Sequence, residues 1–306
     1  MKNIRSFRER IKRDIKGIMI FRFLMYPFMS FLKKRQYIDY AQSEDSMKMK
    51  KLKESEKGNR CFIIGNGSSL RTEDLELLKD EVTFASNRIY NIFDKTSWRP
   101  KYYMAEDTDG LSEMAPCVLN QGIPYIILNE QAKKYINNTC DFIYWGHWSD
   151  GHYIINRYND KSIHISEDVS MYFSIGYTVT FSAIQLAIYM GVREIYLLGV
   201  DFNYSVYSDK WGRKKTKKGV ITYFDGKERN GSYLNYHSTM RAYQKAKEYC
   251  DKHGIRIANA TRGGCLEVFE RQDFDKLMGG GKSLIFKALC INPVAGEGCN
   301  QMMEAA

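Results

Sequence analysis

The fold is decided by the stretch Cys-Phe-Ile-Ile-Gly-Asn-Gly-Ser-Ser-Leu at residues 61–70. It opens with four apolar residues in a row, which is typical of a strand buried on both faces of a parallel sheet. Gly65 and Gly67 follow, with Asn66 between them and Ser69 after them. Glycines let the backbone approach a ligand closely, and free amides at the start of a following helix attract phosphate. We therefore expect a strand that leads into a nucleotide-binding turn, and an ordinary tight turn is the alternative.

Six further runs of the same kind occur along the chain, with helix-like intervals between several of them. They lie at residues 82–86, 102–105, 124–128, 141–145, 194–199 and 255–258. Helices are predicted at 178–190 and 237–253, each followed by a glycine that suits a left-handed helix end. Strands that alternate with helices indicate an α/β fold with a doubly wound, mostly parallel, Rossmann-like sheet. In such sheets ligands bind beyond the carboxyl ends of the strands.

The charge of the chain is confined to its first part. The 306 residues carry a net charge of +10, and the first 60 hold 17 Lys and Arg against 7 Asp and Glu. The remainder is electrically balanced, so we expect no nucleic-acid partner. The composition predicts an arm at 1–40, a linker at 41–59, an α/β domain at 60–278, and a tail at 279–306 without an assigned role.

The arm contains an apolar segment, residues 18–32, that is interrupted by Arg22 and Pro27 and has basic residues on both sides. Fifteen residues are too few to span a bilayer, which takes about 20. The segment also lacks the small-residue cleavage site of a secretory signal. We therefore expect a basic amphipathic helix on an anionic membrane surface, with the protein cytoplasmic and peripheral on the inner face of the cytoplasmic membrane. The alternative is packing on the body or on a second copy in a homo-oligomer.

Polar residues follow several of the predicted strands. Asn87 comes directly after the second run, Asp107 and Asp109 come after the third, and Asp201 comes after the sixth. An Asp-x-Asp sequence after a strand is one way to hold a divalent ion, because hard carboxylate oxygens suit Mg²⁺. The alternative is a plain Asp-rich turn.

The segment 205–236 is long for a connection in a compact domain, and it is rich in lysine and tyrosine. A basic lid that carries tyrosines suits closure over an anionic nucleotide, whereas a solvated surface loop is the alternative. His237 follows at the predicted start of a helix. A helix N-terminus disfavours a charged imidazolium, which suits a general base, although lone histidines also serve structural roles.

Taken together, these motifs resemble two related groups. GNGSSL at 65–70, FASNRIY at 84–90 and the helix–strand unit at 183–202 resemble glycosyltransferase family 42, the bacterial sialyltransferases. The same opening is also similar to the MptE-like domain, named for an archaeal 6-hydroxymethylpterin diphosphokinase. The stretch NATRGGCLE at 259–267 is more typical of that second group. The resemblance covers roughly residues 60–275.

The sialyltransferase resemblance implies a role for individual residues. Asn66 and Asn87 would contact a CMP-sugar, Asp107 stands where that family has a donor-contacting Asn, and Thr178 and Thr180 lie near the cytidine. Tyrosines from the lid would contact the departing phosphate, and His237 would be the base. These tyrosines are Tyr204 or Tyr207 together with Tyr233 or Tyr236. Ser68 and Asp107 depart from the family pattern.

Three functions follow as alternatives. The first is an inverting glycosyltransferase that moves an acidic sugar from a CMP-sugar donor to a cell-surface glycan acceptor and requires no cofactor. The second is transfer of pyrophosphate from ATP to a pterin-like alcohol, with Mg²⁺ held by Asp107 and Asp109. The third is a non-catalytic scaffold associated with the membrane.

Overall fold

The seven apolar runs form strands of one parallel sheet. The computed structural model describes residues 35, 38–106, 110–136, 142–145, 163–208, 213–227 and 234–279. Its main sheet has eight strands in the order β10-β9-β6-β1-β2-β3-β4-β5, and every neighbouring pair is parallel. The strands are β1 (Arg60–Ile64), β2 (Val82–Ser86), β3 (Tyr102–Ala105), β4 (Tyr125–Asn129), β5 (Ile143–Trp145), β6 (Glu194–Leu198), β9 (Arg256–Asn259) and β10 (Glu270–Arg271). A doubly wound, Rossmann-like fold is therefore confirmed.

Helices cover both faces of this sheet. They are α1 (Glu44–Lys51), α2 (Thr72–Glu76), α3 (Leu111–Cys117), α4 (Val179–Tyr189), α5 (Tyr236–Lys252) and α6 (Phe274–Leu277), and 3₁₀ turns lie at Asn87–Ile92 and Glu130–Lys134. One core cluster joins α1, α4 and α5 to one sheet face, and a second joins α2, α3 and α6 to the other. Alternate residues of β1 enter the two clusters, which explains why its apolar run is continuous.

The order in which strands are added to the sheet changes direction at β1. Strands β2 to β5 are added on one side of β1, whereas β6, β9 and β10 are added on the other. The boundary between β1 and β6 is thus the topological switch point, where open α/β sheets bind their ligands. A separate antiparallel hairpin, β7 (Val206–Ser208) with β8 (Lys214–Thr216), lies in the segment expected to form a lid.

The segment 41–59, expected to be a linker, packs on the sheet. Helix α1 lies in it, and the Met49 side chain of this helix is fully buried in the core. The Ser46 hydroxyl donates to the Ser170 carbonyl at 2.8 Å, and the Tyr40 hydroxyl donates to the Tyr144 carbonyl at 3.3 Å. The folded body therefore begins before Arg60. The polar composition of the segment concealed this, because only one face of the short helix is buried.

Glu56 ties this segment to the sheet. Its buried carboxylate accepts hydrogen bonds from Tyr102 Oη at 2.5 Å and Asn59 Nδ2 at 2.9 Å, and it pairs with Lys101 Nζ at 2.6 Å. Burial by itself raises the pKa of Glu56, yet the hydrogen bonds from Lys101, Tyr102 and Asn59 bring that pKa below its ordinary value. The charged form is therefore the form that fits the fold.

We expect Glu56→Gln to lower the free energy of unfolding by about 1–3 kcal/mol at pH 7, because buried donors lose their charged acceptor. A lowered folded-state pKa stabilises the fold above the unfolded-state pKa, and this contribution is lost as pH falls through the folded-state pKa. The melting-temperature difference from wild type should therefore shrink below about pH 4. Glu54→Gln, at an exposed surface pair with Lys57, is the control and should change little. A difference that stays constant from acid to neutral pH would contradict the electrostatic explanation.

Within the described part of the chain, no helix is long and apolar enough to cross a bilayer. The predicted membrane arm lies almost entirely outside the described residues, as does the tail after Gly279.

Candidate functional site

A cavity lies at the switch point, just beyond the carboxyl ends of β1 and β6. It is lined by the turn after β1, the turn after β6, the start of 3₁₀ helix 87–92, the start of α4, and residues of the lid and of α5. The lining residues are Gly65, Asn66, Gly67, Ser86, Asn87, Thr178, Val179, Thr180, Gly199, Val200, Asp201, Phe202, Asn203, Tyr204, Thr222, Tyr223, Leu234, Thr239 and Tyr243. Eight residues predicted for nucleotide binding are among them: Gly65, Asn66, Gly67, Asn87, Thr178, Thr180, Asp201 and Tyr204.

Asp201 holds the glycine turn in place. One carboxylate oxygen accepts from the Ser69 backbone N–H and the Ser68 hydroxyl, both at 3.0 Å, and the other accepts from the Ser69 hydroxyl. The Asp201 carbonyl in turn accepts from the Cys265 N–H at 2.7 Å. Ser69 therefore does not line the cavity but contacts the lining residue Asp201. Both carboxylate oxygens of Asp201 already have hydrogen-bond partners.

The two turns lie so close together that only glycine fits. The Gly67 N–H donates to the Gly199 carbonyl at 2.8 Å. A Cβ atom built on Gly65 would lie 2.9 Å from the Gly199 carbonyl carbon and closer still to its oxygen. The glycines thus serve backbone contact between the β1 and β6 turns, besides any approach of a ligand.

Four buried polar atoms at the cavity lack a hydrogen-bond partner. They are the side-chain oxygens of Asn66, Asn87, Asn203 and Thr239. The Asn66 amide is oriented by its Nδ2, which donates to the Ser86 carbonyl at 2.9 Å. Buried polar atoms are almost always paired in folded proteins, so a concentration of unpaired ones marks a place that a ligand completes.

Backbone strain coincides with these atoms. Asn87 and Phe202 both line the cavity, and they adopt φ angles of +52° and +53°. These values lie in the left-handed region, which costs free energy for residues other than glycine. Tyr177, which precedes the cavity residue Thr178, has φ of +59°. Strain of this kind collects at binding and catalytic sites, because the surrounding structure must hold it.

The N-terminus of α4 points at the same cavity. Thr178 is the N-cap and accepts from the Thr180 N–H at 3.4 Å. Helix N-termini attract anions through their free N–H groups and dipole. This end of the cavity is therefore suited to a phosphate.

Two cavity tyrosines stay protonated at neutral pH. Burial raises the pKa of Tyr243 to about 12, and hydrogen bonds with Thr180 and Thr178 partly offset that rise. Burial also raises the pKa of Tyr204, and the nearby Tyr243, Tyr223 and Asp201 add to the effect. Both hydroxyls are thus neutral hydrogen-bond donors across the physiological range.

The lid lies directly over the glycine turn. The Phe224 N–H donates to the Asn66 carbonyl at 3.1 Å, and Thr222 and Tyr223 contribute to the wall. The cavity measures about 90 Å³, less than the roughly 300–1,000 Å³ of typical small-molecule sites. A nucleotide would therefore have to displace Tyr223 or extend through the mouth.

The structure separates other predicted residues from the cavity. His237 is the second residue of α5, and its side chain is exposed against the edge of the Tyr236 ring. Tyr236 is buried beneath it against Phe202, and Tyr207 packs on the same core at its bridge to Leu234. None of the three lines the cavity.

The basic residues of the lid also lie elsewhere. In the described part of the lid, the cations between Arg213 and Lys218 are exposed or half-exposed, and none lines the cavity. The described part of the cavity wall that the lid provides comes instead from Tyr204, Thr222 and Tyr223. Contact between the lid cations and a nucleotide stays a prediction.

Asp107, Asp109 and Tyr233 lie outside the described residues. Among the described lining residues Asp201 is the one carboxylate, and both of its oxygens are occupied. No group of three or more His, Cys, Asp or Glu in the described ranges is arranged to hold a metal ion. The described residues by themselves do not fit a Mg²⁺ site.

Four lining residues were not predicted from the sequence: Asn203, Thr222, Thr239 and Tyr243. Asn203 follows the same strand end as Asp201, and that position is a signal that could have identified it. Tyr243 lies on the buried face of α5, so its sequence pattern is that of a core residue. Only the fold shows that this face also lines the cavity.

Comparison with known proteins finds a family whose model matches this chain and solved structures that are similar to it. The model of the family described as 6-hydroxymethylpterin diphosphokinase MptE-like matches residues 34–206, more than half of the chain. A solved structure, the sialyltransferase CstII from Campylobacter jejuni in complex with the substrate analogue CMP-3FNeuAc, is 18% identical and superposes with a TM-score of 0.39. That match covers 70% of this chain and 85% of the other. None of the curated protein sequences compared with the chain matches it.

Proposed function

The chain belongs to the 6-hydroxymethylpterin diphosphokinase MptE-like family, and from this premise we propose that it is a transferase acting on a nucleotide-activated substrate. More specifically, we propose an inverting glycosyltransferase that takes an acidic sugar from a CMP-sugar and passes it to a cell-surface glycan acceptor. The carrying observation is the cluster of unpaired oxygens on Asn66, Asn87, Asn203 and Thr239 beside the N-terminus of α4.

The chemistry of this cluster matches a nucleoside monophosphate. Ribose hydroxyls and the amino group of cytosine can donate hydrogen bonds to these unpaired acceptor oxygens. The single phosphate of a CMP-sugar can rest on the N–H groups that open α4. A triphosphate needs cations and metal ligands, which the described lining does not supply. The described lining therefore suits a donor with one phosphate, whereas a triphosphate would depend on Asp107 and Asp109, which lie outside the described residues.

In the proposed reaction, the acceptor hydroxyl attacks the anomeric carbon while the bond from that carbon to the phosphate oxygen breaks. His237, on the exposed first turn of α5, takes the proton of the hydroxyl, and CMP leaves with the bonding electron pair. The neutral hydroxyls of Tyr204 and Tyr243 donate to the phosphate as its charge grows.

The experiment that tests this function is a thermal-shift screen of the full chain against CMP, CDP, UDP, GDP and ATP, with and without Mg²⁺. Stabilisation by CMP without metal supports the proposal, since a ligand at 100 times its Kd adds about 2.7 kcal/mol. Stabilisation by ATP with Mg²⁺ alone would support the second candidate. The absence of any shift would identify a non-catalytic scaffold.

The second candidate is pyrophosphate transfer from ATP to 6-hydroxymethylpterin or a similar alcohol, which the description of the family itself favours. In this reading Asp107 and Asp109 hold Mg²⁺. Activity that survives a chelator would exclude it.

The unpaired hydroxyl of Thr239 offers a sharp mutational test. Because this hydroxyl has no protein partner, Thr239→Val should leave the melting temperature unchanged or slightly raised, while CMP binding weakens by up to about tenfold. Thr83→Val is the matched control, since the Thr83 hydroxyl is buried and accepts from the Lys101 N–H at 3.1 Å. The control should lose stability and keep its CMP affinity, as measured by calorimetry. Equal CMP affinity in wild type and Thr239→Val would place the ligand elsewhere.

We also propose that the basic arm at 1–40 holds the protein on the inner face of the cytoplasmic membrane. A homo-oligomer built through the arm is the alternative arrangement.

A further inference from the structure

The lid carries a strongly charged surface outside the cavity lining. Arg213, Lys214, Lys215, Lys217 and Lys218 place five cations within six residues, at and just after β8. The main-chain hydrogen bonds that place this segment include the Lys217 N–H to the Ser205 carbonyl at 2.7 Å. We call residues 213–218 together with Ile221 the basic hairpin surface.

Three lysines of this surface form no ion pair with the described residues. Lys214, Lys215 and Lys218 are exposed, and none of them forms an ion pair with a described residue. Like charges this close repel one another, so their accumulation on one hairpin costs stability. The cost is removed when the surface meets a negatively charged partner.

An exposed apolar side chain lies beside these cations. Ile221 is 60% exposed, more than the other exposed large apolar side chains of the described residues. A soluble sugar phosphate is polar and would gain little binding free energy from contact with an apolar side chain. At a bilayer, however, lysines bind anionic headgroups while an isoleucine enters the boundary of the acyl chains.

We propose that the basic hairpin surface is a second membrane contact, built into the folded body, which binds anionic lipid headgroups. It is independent of the arm at 1–40. Thr222 and Tyr223 directly follow Ile221 and line the cavity, so this contact places the bilayer next to one wall of the cavity. A substrate anchored at the membrane surface would then reach the cavity without leaving the membrane.

The test uses the full chain and vesicles of phosphatidylcholine with 30% phosphatidylglycerol, compared with pure phosphatidylcholine, at about 0.1 M salt. Lys214→Gln, Lys215→Gln and Lys218→Gln combined should lower the partition constant on the anionic vesicles about tenfold or more, since each lysine contributes about fivefold. The matched control, Lys53→Gln, Lys95→Gln and Lys134→Gln combined, removes the same charge from other exposed positions and should change it less than about threefold.

A second variant tests the apolar part. Ile221→Ser should lower the partition constant about threefold or more, whereas Leu77→Ser, at another exposed apolar position, should leave it unchanged. The control triple variant should keep the wild-type melting temperature, because its side chains are exposed. The hairpin triple variant should keep or slightly raise the melting temperature, because it loses repulsion between like charges.

Two results would overturn the proposal. One is equal vesicle binding by wild type and the hairpin triple variant, which would assign all membrane binding to the arm. The other is a triple variant that loses binding to soluble dextran sulfate but keeps its vesicle binding, which would make this surface a glycan site. The nucleotide screen is unaffected by either result, so the failure of this inference is separable from failure of the proposed function.

Discussion

His237→Ala is expected to lower turnover of a CMP-sugar about 10²–10⁴-fold while CMP affinity stays within about twofold of wild type. The separation follows from the structure, because His237 stands outside the cavity whereas Thr239, two residues further along α5, lines it. Loss of the side chain therefore removes the proton acceptor without disturbing the nucleotide contacts. Because the side chain is exposed, the melting temperature should not change.

The measurement is release of CMP from the donor in the presence of acceptor, together with calorimetric binding of CMP. His253→Ala is the control, since His253 is an exposed histidine at the opposite end of the same helix. Near-wild-type turnover in His237→Ala would remove this residue from the mechanism. A loss of CMP affinity as large as the loss of turnover would show that it acts through binding.

Gly65→Ala is expected to destabilise the fold by about 3 kcal/mol and to abolish nucleotide binding. The added methyl would meet the carbonyl group of Gly199 and, at 3.1 Å, a methyl of Val200. Two of these atoms are backbone, so relief requires the β1 and β6 turns to move apart. For a domain of this size the change corresponds to a fall in melting temperature of roughly 10 °C.

Gly122→Ala separates this steric effect from the general cost of replacing glycine. Gly122 has a positive φ of +73°, and no atom lies within 4 Å of the position of its Cβ. Its replacement should cost about 1–2 kcal/mol through backbone conformation alone, without loss of nucleotide binding. If Gly65→Ala were no less stable than Gly122→Ala, the close packing of the two turns would not be what holds the site together.

Seven strands of the sheet could be predicted because they are largely buried on both faces and thus form apolar runs. Strand β10, by contrast, has only two residues, Glu270 and Arg271, and both are exposed. Strand β8 consists of exposed polar residues, Lys214 to Thr216, whose pairing depends on the hairpin. Neither strand buries side chains, so neither leaves an apolar pattern.

The location of a site residue could be predicted where it follows a strand, as for Asn66, Asn87 and Asp201. That Asp201 holds the glycine turn could not be predicted, because its hydrogen bond with Ser68 spans 133 positions of the sequence. The buried stripe of α5, which includes Thr239, Tyr243, Ala246 and Cys250, leaves His237 outside the cavity lining. As a base, His237 would therefore meet the acceptor at the exposed first turn of the helix.

The contact between Ser68 and Asp201 has a consequence for biosynthesis. Strand β1 is made early, but its neighbour β6 begins at Glu194, more than 130 residues later. At a translation rate of about 5–20 residues per second, the growing chain presents the edge of β1 for on the order of ten seconds. That edge carries unpaired backbone N–H and C=O groups between apolar side chains, the kind of surface on which nascent chains aggregate. The cavity forms, and this exposure ends, in the same event, when β6 docks against β1.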